Sequence, residues 1–232
     1  MTPAGPRVAV LMGGANLHAR LLLRALRDAG MPPGLVVDEQ GTARAEKLSG
    51  WLANDIVEVP TVGELLGAAT RYEEVDAFDG QRSLALISGF APDYLVSGGV
   101  GIFRRSLLDL PRRGVLNIHP GLLPEYRGID PVLWALADGG ELGATVHLMS
   151  EGIDEGPILL RAPLAAPPPE RSVLGWRLAC MAHGAAMLAR FLLDPAAFPP
   201  VPQDESRARY MKAFPVARMD ELEPVARARA VP

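Results

Sequence analysis

The sequence predicts an α/β fold, a mainly parallel sheet with helices on both faces, followed by a short C-terminal tail. Three observations predict it. Short, almost wholly apolar runs at residues 8–12, 35–37, 94–96 and 115–118 have the length and composition of strands buried on both faces. Segments of helical spacing alternate with these runs, the order that produces strand–helix–strand units. The 24 glycines and 22 prolines supply the many tight turns that such a domain needs.

The first run closes on Gly13-Gly14. Asn16 then stands as an N-cap, and Leu17, Leu21, Leu22 and Leu26 repeat at helical spacing until Gly30. This βα turn could present backbone N–H groups to an anion, but glycines also make ordinary βα turns, and the three-glycine dinucleotide spacing is absent. After the second strand, Asp38 to Gly41 form a polar turn, with a helical stretch through Leu48 and a third strand at residues 56–59. Thr61 and Glu64 have capping-box spacing for a short helix to Ala69. Residues 71–82 are charged and read as an exposed connection leading into a helix that ends near Phe90.

The strand at residues 94–96 runs into Ser97-Gly98-Gly99-Val100-Gly101-Ile102-Phe103. Its three glycines let the backbone pass close to another element or a flat ligand. A helical turn at residues 106–110 follows, then Arg112-Arg113-Gly114 and the strand carrying Asn117. Beyond Gly128 the pattern gives a helix from Pro131 to Asp138, strands at 144–149 and 158–160, a proline-rich loop at 163–169 and a long helix from about 172 to 193. Leu174, Leu178, Met181, Ala185, Met187 and Leu188 mark that helix's apolar side. Residues 1–193 read as one domain. Residues 194–232 read as an extension lying on its surface or partly disordered.

Composition narrows the function. A formal charge of -4 and 49% hydrophobic content describe a soluble globular chain, with no bulk basic charge to attract nucleic acid. One cysteine, Cys180, excludes an internal disulfide and any thiolate metal cluster, and no metal site is predicted. No leader-like segment and no membrane-length apolar run is present, so the expected location is cytoplasmic.

The chemistry concentrates at the end of the fifth strand. Asn117 and His119 share one side of it by the two-residue period, and Pro120, Pro124 and Gly128 then hold the chain as a fixed loop. A polar pair carried out of an apolar strand is the arrangement of an active site at the C-terminal edge of such a sheet. A second loop, Glu151-Gly152-Ile153-Asp154-Glu155-Gly156-Pro157, supplies a carboxylate that can hold a histidine's tautomer. With no positioned thiol and no G-x-S-x-G elbow, the set favours direct attack of an amine or water on a carbonyl, the oxyanion held by Asn117 and His119.

These residues carry a resemblance. Asn117-Ile118-His119-Pro120 with Leu122-Leu123-Pro124, then Tyr126-Arg127-Gly128, Gly143-Ala144-Thr145-Val146-His147 and Ile153-Asp154-Glu155-Gly156-Pro157-Ile158, resemble the catalytic domain of the folate-dependent formyltransferases. That family includes glycinamide ribonucleotide, methionyl-tRNA and amino-sugar N-formyltransferases. The similarity is specific over residues 93–160. It implies a Rossmann-like domain using 10-formyltetrahydrofolate, with Asn117, His119 and Asp154 catalytic. It also implies donor contacts at Val100, Gly101, Ile102, Phe103, Arg104, Gly152 and Ile153.

His147 recurs in the resembled pattern but, inside an apolar strand, reads as a hydrogen-bonded structural residue. His18 and His183 read as surface or packing residues, Trp134 as core or cleft wall, and Arg104, Arg105, Arg112 and Arg113 as a solvated patch. Gly121 stands where the family usually has serine. The Gly13–Asn16 loop only partly resembles the purine enzyme's phosphate loop, and the tail cannot supply the barrel that a methionyl-tRNA enzyme normally carries. The expected reaction is formyl transfer to the amine of a small metabolite, an amino sugar or nucleotide-linked amino sugar preferred. Glycinamide ribonucleotide formylation, hydrolysis of the donor and a non-catalytic folate-binding role are the alternatives. The expected partners are a small-molecule amine acceptor, no nucleic acid and no membrane; the oligomeric state is open, a homodimer included.

Overall fold

The computed structural model describes residues 5–14, 16–40 and 59–229. The described chain divides into two compact units, residues 1–117 with 192–194, and residues 118–191 with 195–232.

The first unit alternates strands and helices: β1 (Val8–Gly13), α1 (Leu17–Asp28), β2 (Leu35–Glu39), α2 (Val62–Leu65), β3 (Arg71–Val75), α3 (Gln81–Phe90), β4 (Tyr94–Ser97), α4 (Arg105–Leu108) and the start of β5 (Gly114–His119). The strands lie in the order β3-β2-β1-β4-β5, all parallel. Every residue of β1, β2 and β4 is buried, their apolar runs as composition requires and the acidic end of β2 through hydrogen bonds, Asp38 accepting from the Gly14 N–H at 2.8 Å and Glu39 from the Phe78 N–H at 3.1 Å. Asn16 caps α1, its side chain accepting the Ala19 N–H at 2.9 Å, and Thr61 with Glu64 completes the capping box of α2.

The charged segment expected to be an exposed connection contains β3. As the last strand in this order it leaves polar side chains in solvent, Arg71 pairing with Glu73 at 2.7 Å, so it lacks the apolar run that betrays a central strand. The expected helix to Leu48 and strand at 56–58 lie outside the described residues, and Val59 is in no strand.

In the second unit β5 ends and is followed by β6 (Arg127–Gly128), α5 (Pro131–Asp138), β7 (Gly143–Leu148), β8 (Ile158–Pro163), α6 (Val173–Leu193), β9 (Tyr210–Met211) and α7 (Met219–Ala228). β7 and β8 pair antiparallel, from Gly143 opposite Pro163 to His147 opposite Ile158, so β8 extends three residues beyond its expected end. On α6, Met181, Ala185, Met187 and Leu188 are buried as expected. Leu174 and Leu178 are only half-buried. The inward line begins instead at Trp176 and Cys180, both fully buried.

The segment after residue 194 is built into this unit. β9 pairs in parallel with β6, and Phe214, Leu222 and Ala226 join Tyr126, Leu133, Leu136, Trp176 and Cys180 in one apolar cluster. Trp176 Nε1 donates to the Ala226 carbonyl at 2.9 Å, so a buried indole is satisfied by the last helix.

Candidate active site

β5 delivers the polar pair. Asn117, half-buried, lies opposite Ser97 in the β4 register, and His119, two residues on, is buried. The loop after it is pinned from β7 and β8. The Thr145 hydroxyl accepts the Leu123 N–H at 3.1 Å and donates to the Gly121 carbonyl at 2.8 Å, while Arg161 Nε donates to the Leu123 carbonyl at 2.8 Å. Gly121 is required by space: a Cβ there would lie 2.6 Å from the Pro131 Cβ and 3.0 Å from His119 Nε2.

His119 Nε2 lies 2.6 Å from the Tyr126 carbonyl oxygen, so that nitrogen carries a proton and donates it. Nδ1 then faces Asp154 Oδ2 at 3.5 Å, an electrostatic contact longer than a hydrogen bond. The second carboxylate oxygen faces His147 Nε2 at 3.6 Å, and the Gly128 N–H donates to Oδ2 at 2.8 Å. His147 is thereby part of the cluster and not only a packing residue; its Nδ1 lies 2.9 Å from the Leu148 carbonyl oxygen. One carboxylate between two imidazoles can store and pass a proton.

The electrostatics separate the partners. Burial would raise the Asp154 carboxyl, but His119, His147 and the Gly128 amide outweigh it and hold it well below the usual carboxylate range. Burial pushes the His119 imidazole below its ordinary value, against the pull of Asp154. At neutral pH the pair is a carboxylate beside a neutral imidazole that has room for one more proton, on Nδ1.

A further layer escapes sequence reasoning. Arg127, fully buried, donates to Glu205 at 2.6 and 2.9 Å, to Gln203 Oε1 at 2.9 and 3.1 Å and to the Tyr210 hydroxyl at 3.0 Å. Gln203 Nε2 donates to the Asp154 and Gly156 carbonyls, each at 2.7 Å. Trp134 donates from Nε1 to the Lys212 carbonyl at 2.8 Å and meets Phe214 edge-on at 4.9 Å. The available signal was the cluster of polar residues between Gln203 and Tyr210, which in a stretch of sequence reads as solvated surface.

The expected donor contacts divide between the units. In the first, Val100 and Phe103 are buried, Phe103 with its ring 6.4 Å from that of Phe78, while Ile102 is 65% exposed. Gly101 has φ 89°, and Arg104 is exposed, 3.7 Å from Asp79. A Cβ on Gly98 would lie 2.7 Å from the Leu11 carbonyl oxygen, so that glycine serves a close approach to β1. In the second unit Gly152 is half-buried and Ile153 is 47% exposed. Of the remaining arginines expected to be solvated, Arg112 lies 3.5 Å from Asp93 and Arg113 stacks 5.9 Å from the Tyr94 ring centre. Burial pushes the Cys180 thiol up to about 12, which makes it inert as a nucleophile at neutral pH. Among the described residues no group of three or more His, Cys, Asp or Glu is placed to hold a metal ion, and no helix is long and apolar enough to cross a membrane.

Comparison with known proteins gives the context. The model of one family, described as formyl transferase, matches residues 6–173. The methionyl-tRNA formyltransferase of Synechococcus sp. (strain JA-3-3Ab) is 41% identical over 131 residues, 55% of this chain and 40% of that protein. The one from Aromatoleum aromaticum is 34% identical over 197 residues, 83% of this chain and 58% of that protein. The chain therefore spans between 40% and 58% of the length of these two relatives. Among solved structures, glycinamide ribonucleotide transformylase 1 from Symbiobacterium toebii has a TM-score of 0.61 at 21% identity, covering 86% of this chain and 95% of its own. A sugar N-formyltransferase from Shewanella sp FDAARGOS_354 has a TM-score of 0.59 at 19% identity, covering 89% and 77%. These two likenesses establish a shared fold.

Proposed function

The chain belongs to the formyl transferase family, and on that premise we propose that it moves a formyl group from 10-formyltetrahydrofolate to the primary amine of a small biosynthetic metabolite. The observation that carries this reading is the Asp154 carboxylate set between His119 and His147, with His119 at the end of the strand that presents Asn117. The amine nitrogen attacks the formyl carbon, forming a C–N bond while the carbonyl becomes an oxyanion. The Asn117 amide donates to that oxygen, and the His119 ring, whose Nε2 proton is held by the Tyr126 carbonyl, stabilises the charge as an imidazolium once Nδ1 takes up a proton. Collapse breaks the bond to the folate nitrogen, and the proton lost by the amine passes through the His119–Asp154 pair to the departing nitrogen. The products are a formamide and tetrahydrofolate, with no covalent enzyme intermediate. Loss of one donor to such an oxyanion costs roughly 3 kcal/mol in the barrier, a hundredfold or more in rate.

Donor contacts are proposed at residues 100–104 in the first unit, where Ile102 stands exposed, and at Gly152 and Ile153 in the second, where Ile153 does. An amino sugar or nucleotide-linked amino sugar is the first acceptor class. The amine of methionyl-tRNA is the second, favoured by the 41% identity with an enzyme of that name. The deciding experiment follows tetrahydrofolate release from 10-formyltetrahydrofolate with no acceptor, with a panel of amino sugars and small amines, and with methionyl-tRNA. Release with a small amine alone supports the first class, and release with methionyl-tRNA alone moves the reading to the second. Equal release without any amine would make the protein a hydrolase of the donor and overturn the transfer reading.

A further inference from the structure

Asp154 has φ 55°, in the left-handed region, where aspartate is tolerated better than most non-glycine residues but is held only when local contacts fix the turn. Two carbonyls of this turn, those of Asp154 and Gly156, each accept a hydrogen bond at 2.7 Å from the same atom, Gln203 Nε2. The Gln203 Oε1 accepts from Arg127 Nε at 3.1 Å and from its terminal nitrogen at 2.9 Å. Arg127 is fully buried and precedes Gly128, whose N–H donates to the Asp154 carboxylate at 2.8 Å. The result is a closed ring of contacts: carboxylate, Gly128, Arg127, Gln203 and the carbonyl of the same aspartate. The β6–β9 pairing, Arg127 opposite Tyr210, fixes the segment that carries Gln203 beside it.

We propose that Gln203 is a positioning residue for Asp154, its amide holding the left-handed turn so that the carboxylate stays between the two imidazoles. The C-terminal segment thus completes the reaction site without touching substrate. A glutamine suits this role because it has two donors for two carbonyls and an oxygen for the guanidinium at the other end of one planar group. Replacement by a side chain of similar length without an amide removes both bonds at once. The consequence for turnover rests on Asp154 acting as proposed above; the consequence for geometry does not.

The test therefore has two readouts on the Gln203→Met variant. The first needs no substrate: the titration of His119 by NMR, in a chain with only four histidines to assign. The groups facing that ring are Asp154, His147 and the Tyr126 carbonyl; Asp154 foremost and the Tyr126 carbonyl raise its affinity for a proton, and His147 lowers it. Drift of the carboxylate lowers the His119 midpoint, expected by about half a pH unit or more. The second readout is kinetic: kcat falling roughly ten- to a hundredfold with KM for the donor within about twofold, the pattern of a misplaced reacting group. A folded variant with an unchanged His119 titration and unchanged kcat overturns the proposal. Should Gln203→Met not fold, Gln203→Glu keeps the acceptor for Arg127 and loses the donors, and unchanged kcat there overturns it equally. If the wild-type protein transfers no formyl group to any amine, the function reading fails, and the titration alone decides the positioning role.

Discussion

Replacing Arg127 by methionine removes the charge at the centre of the second unit's polar network. The guanidinium makes five hydrogen bonds, to Glu205, Gln203 and Tyr210, from a fully buried position. The Glu205 side chain is 69% exposed, so its ion pair is screened by water and adds nothing to the sum. Gln203 Oε1 is less fortunate, since it is half-buried and loses both its donors, a cost of about 1–2 kcal/mol. The exposed Tyr210 hydroxyl turns to water, adding at most about 0.5 kcal/mol. The sum is roughly 1–2.5 kcal/mol, offset little by the methionine, which fills the space of the aliphatic stem but not of the planar head. For a chain of this size that corresponds to a melting temperature lower by about 2–10 °C. Differential scanning fluorimetry with a urea titration measures both quantities. A loss under about 0.5 kcal/mol would mean that the network is solvated and holds nothing.

Two further outcomes follow from the geometry of the same unit. Gly121→Ser introduces a Cβ 2.6 Å from Pro131 and 3.0 Å from His119 Nε2, so it should destabilise by about 1–3 kcal/mol and lower turnover by displacing the imidazole; wild-type stability and turnover would show that the loop has slack. Acidification should also destabilise the protein in two stages. His119 binds its proton less readily folded than unfolded, so stability is full above the ordinary histidine value of 6.5 and falls as pH drops below it. Asp154 is depressed in the folded state, so its contribution is present above 3.8 and is lost as pH falls through the carboxylate range. Melting curves between pH 7 and 5 should decline less steeply for His119→Gln than for wild type, and parallel declines would contradict the assignment.

The parts of this fold legible in the sequence are those where one local rule dominates. β1, β2 and β4 announce themselves because burial on both faces gives each an uninterrupted apolar run, with polar residues only at the strand ends, Asp38 and Glu39 in β2 and Ser97 in β4. Asn16, Thr61 and Glu64 announce helix starts because their side chains answer the nearest backbone N–H groups. β3 and β9 do not, since both carry polar residues and take their conformation from a neighbouring strand. The same distinction governs the site. Asn117 and His119 close a strand and Asp154 sits on a loop, each in a recognisable pattern, and the structure brings His119 and Asp154 together. His147 reads as structural in the sequence because it lies inside an apolar strand, whose neighbours say nothing about the Asp154 carboxylate that faces its ring. Gln203 and Arg127 were beyond reach for a stronger reason: their pairing spans 76 positions, and only β6 meeting β9 makes the glutamine a neighbour of Asp154.

In the proposed formyl transfer the Asp154–His119 pair moves the proton. The most direct measurement is formamide product formed per enzyme in a single turnover with 10-formyltetrahydrofolate and the amine that supports release, compared between wild type and Asp154→Asn. The asparagine keeps the shape and one acceptor oxygen for Gly128 but cannot carry the proton. The expected first-order rate is lower by at least about a hundredfold, with donor binding unchanged. A folded Asp154→Asn protein that turns over at the wild-type rate would contradict it.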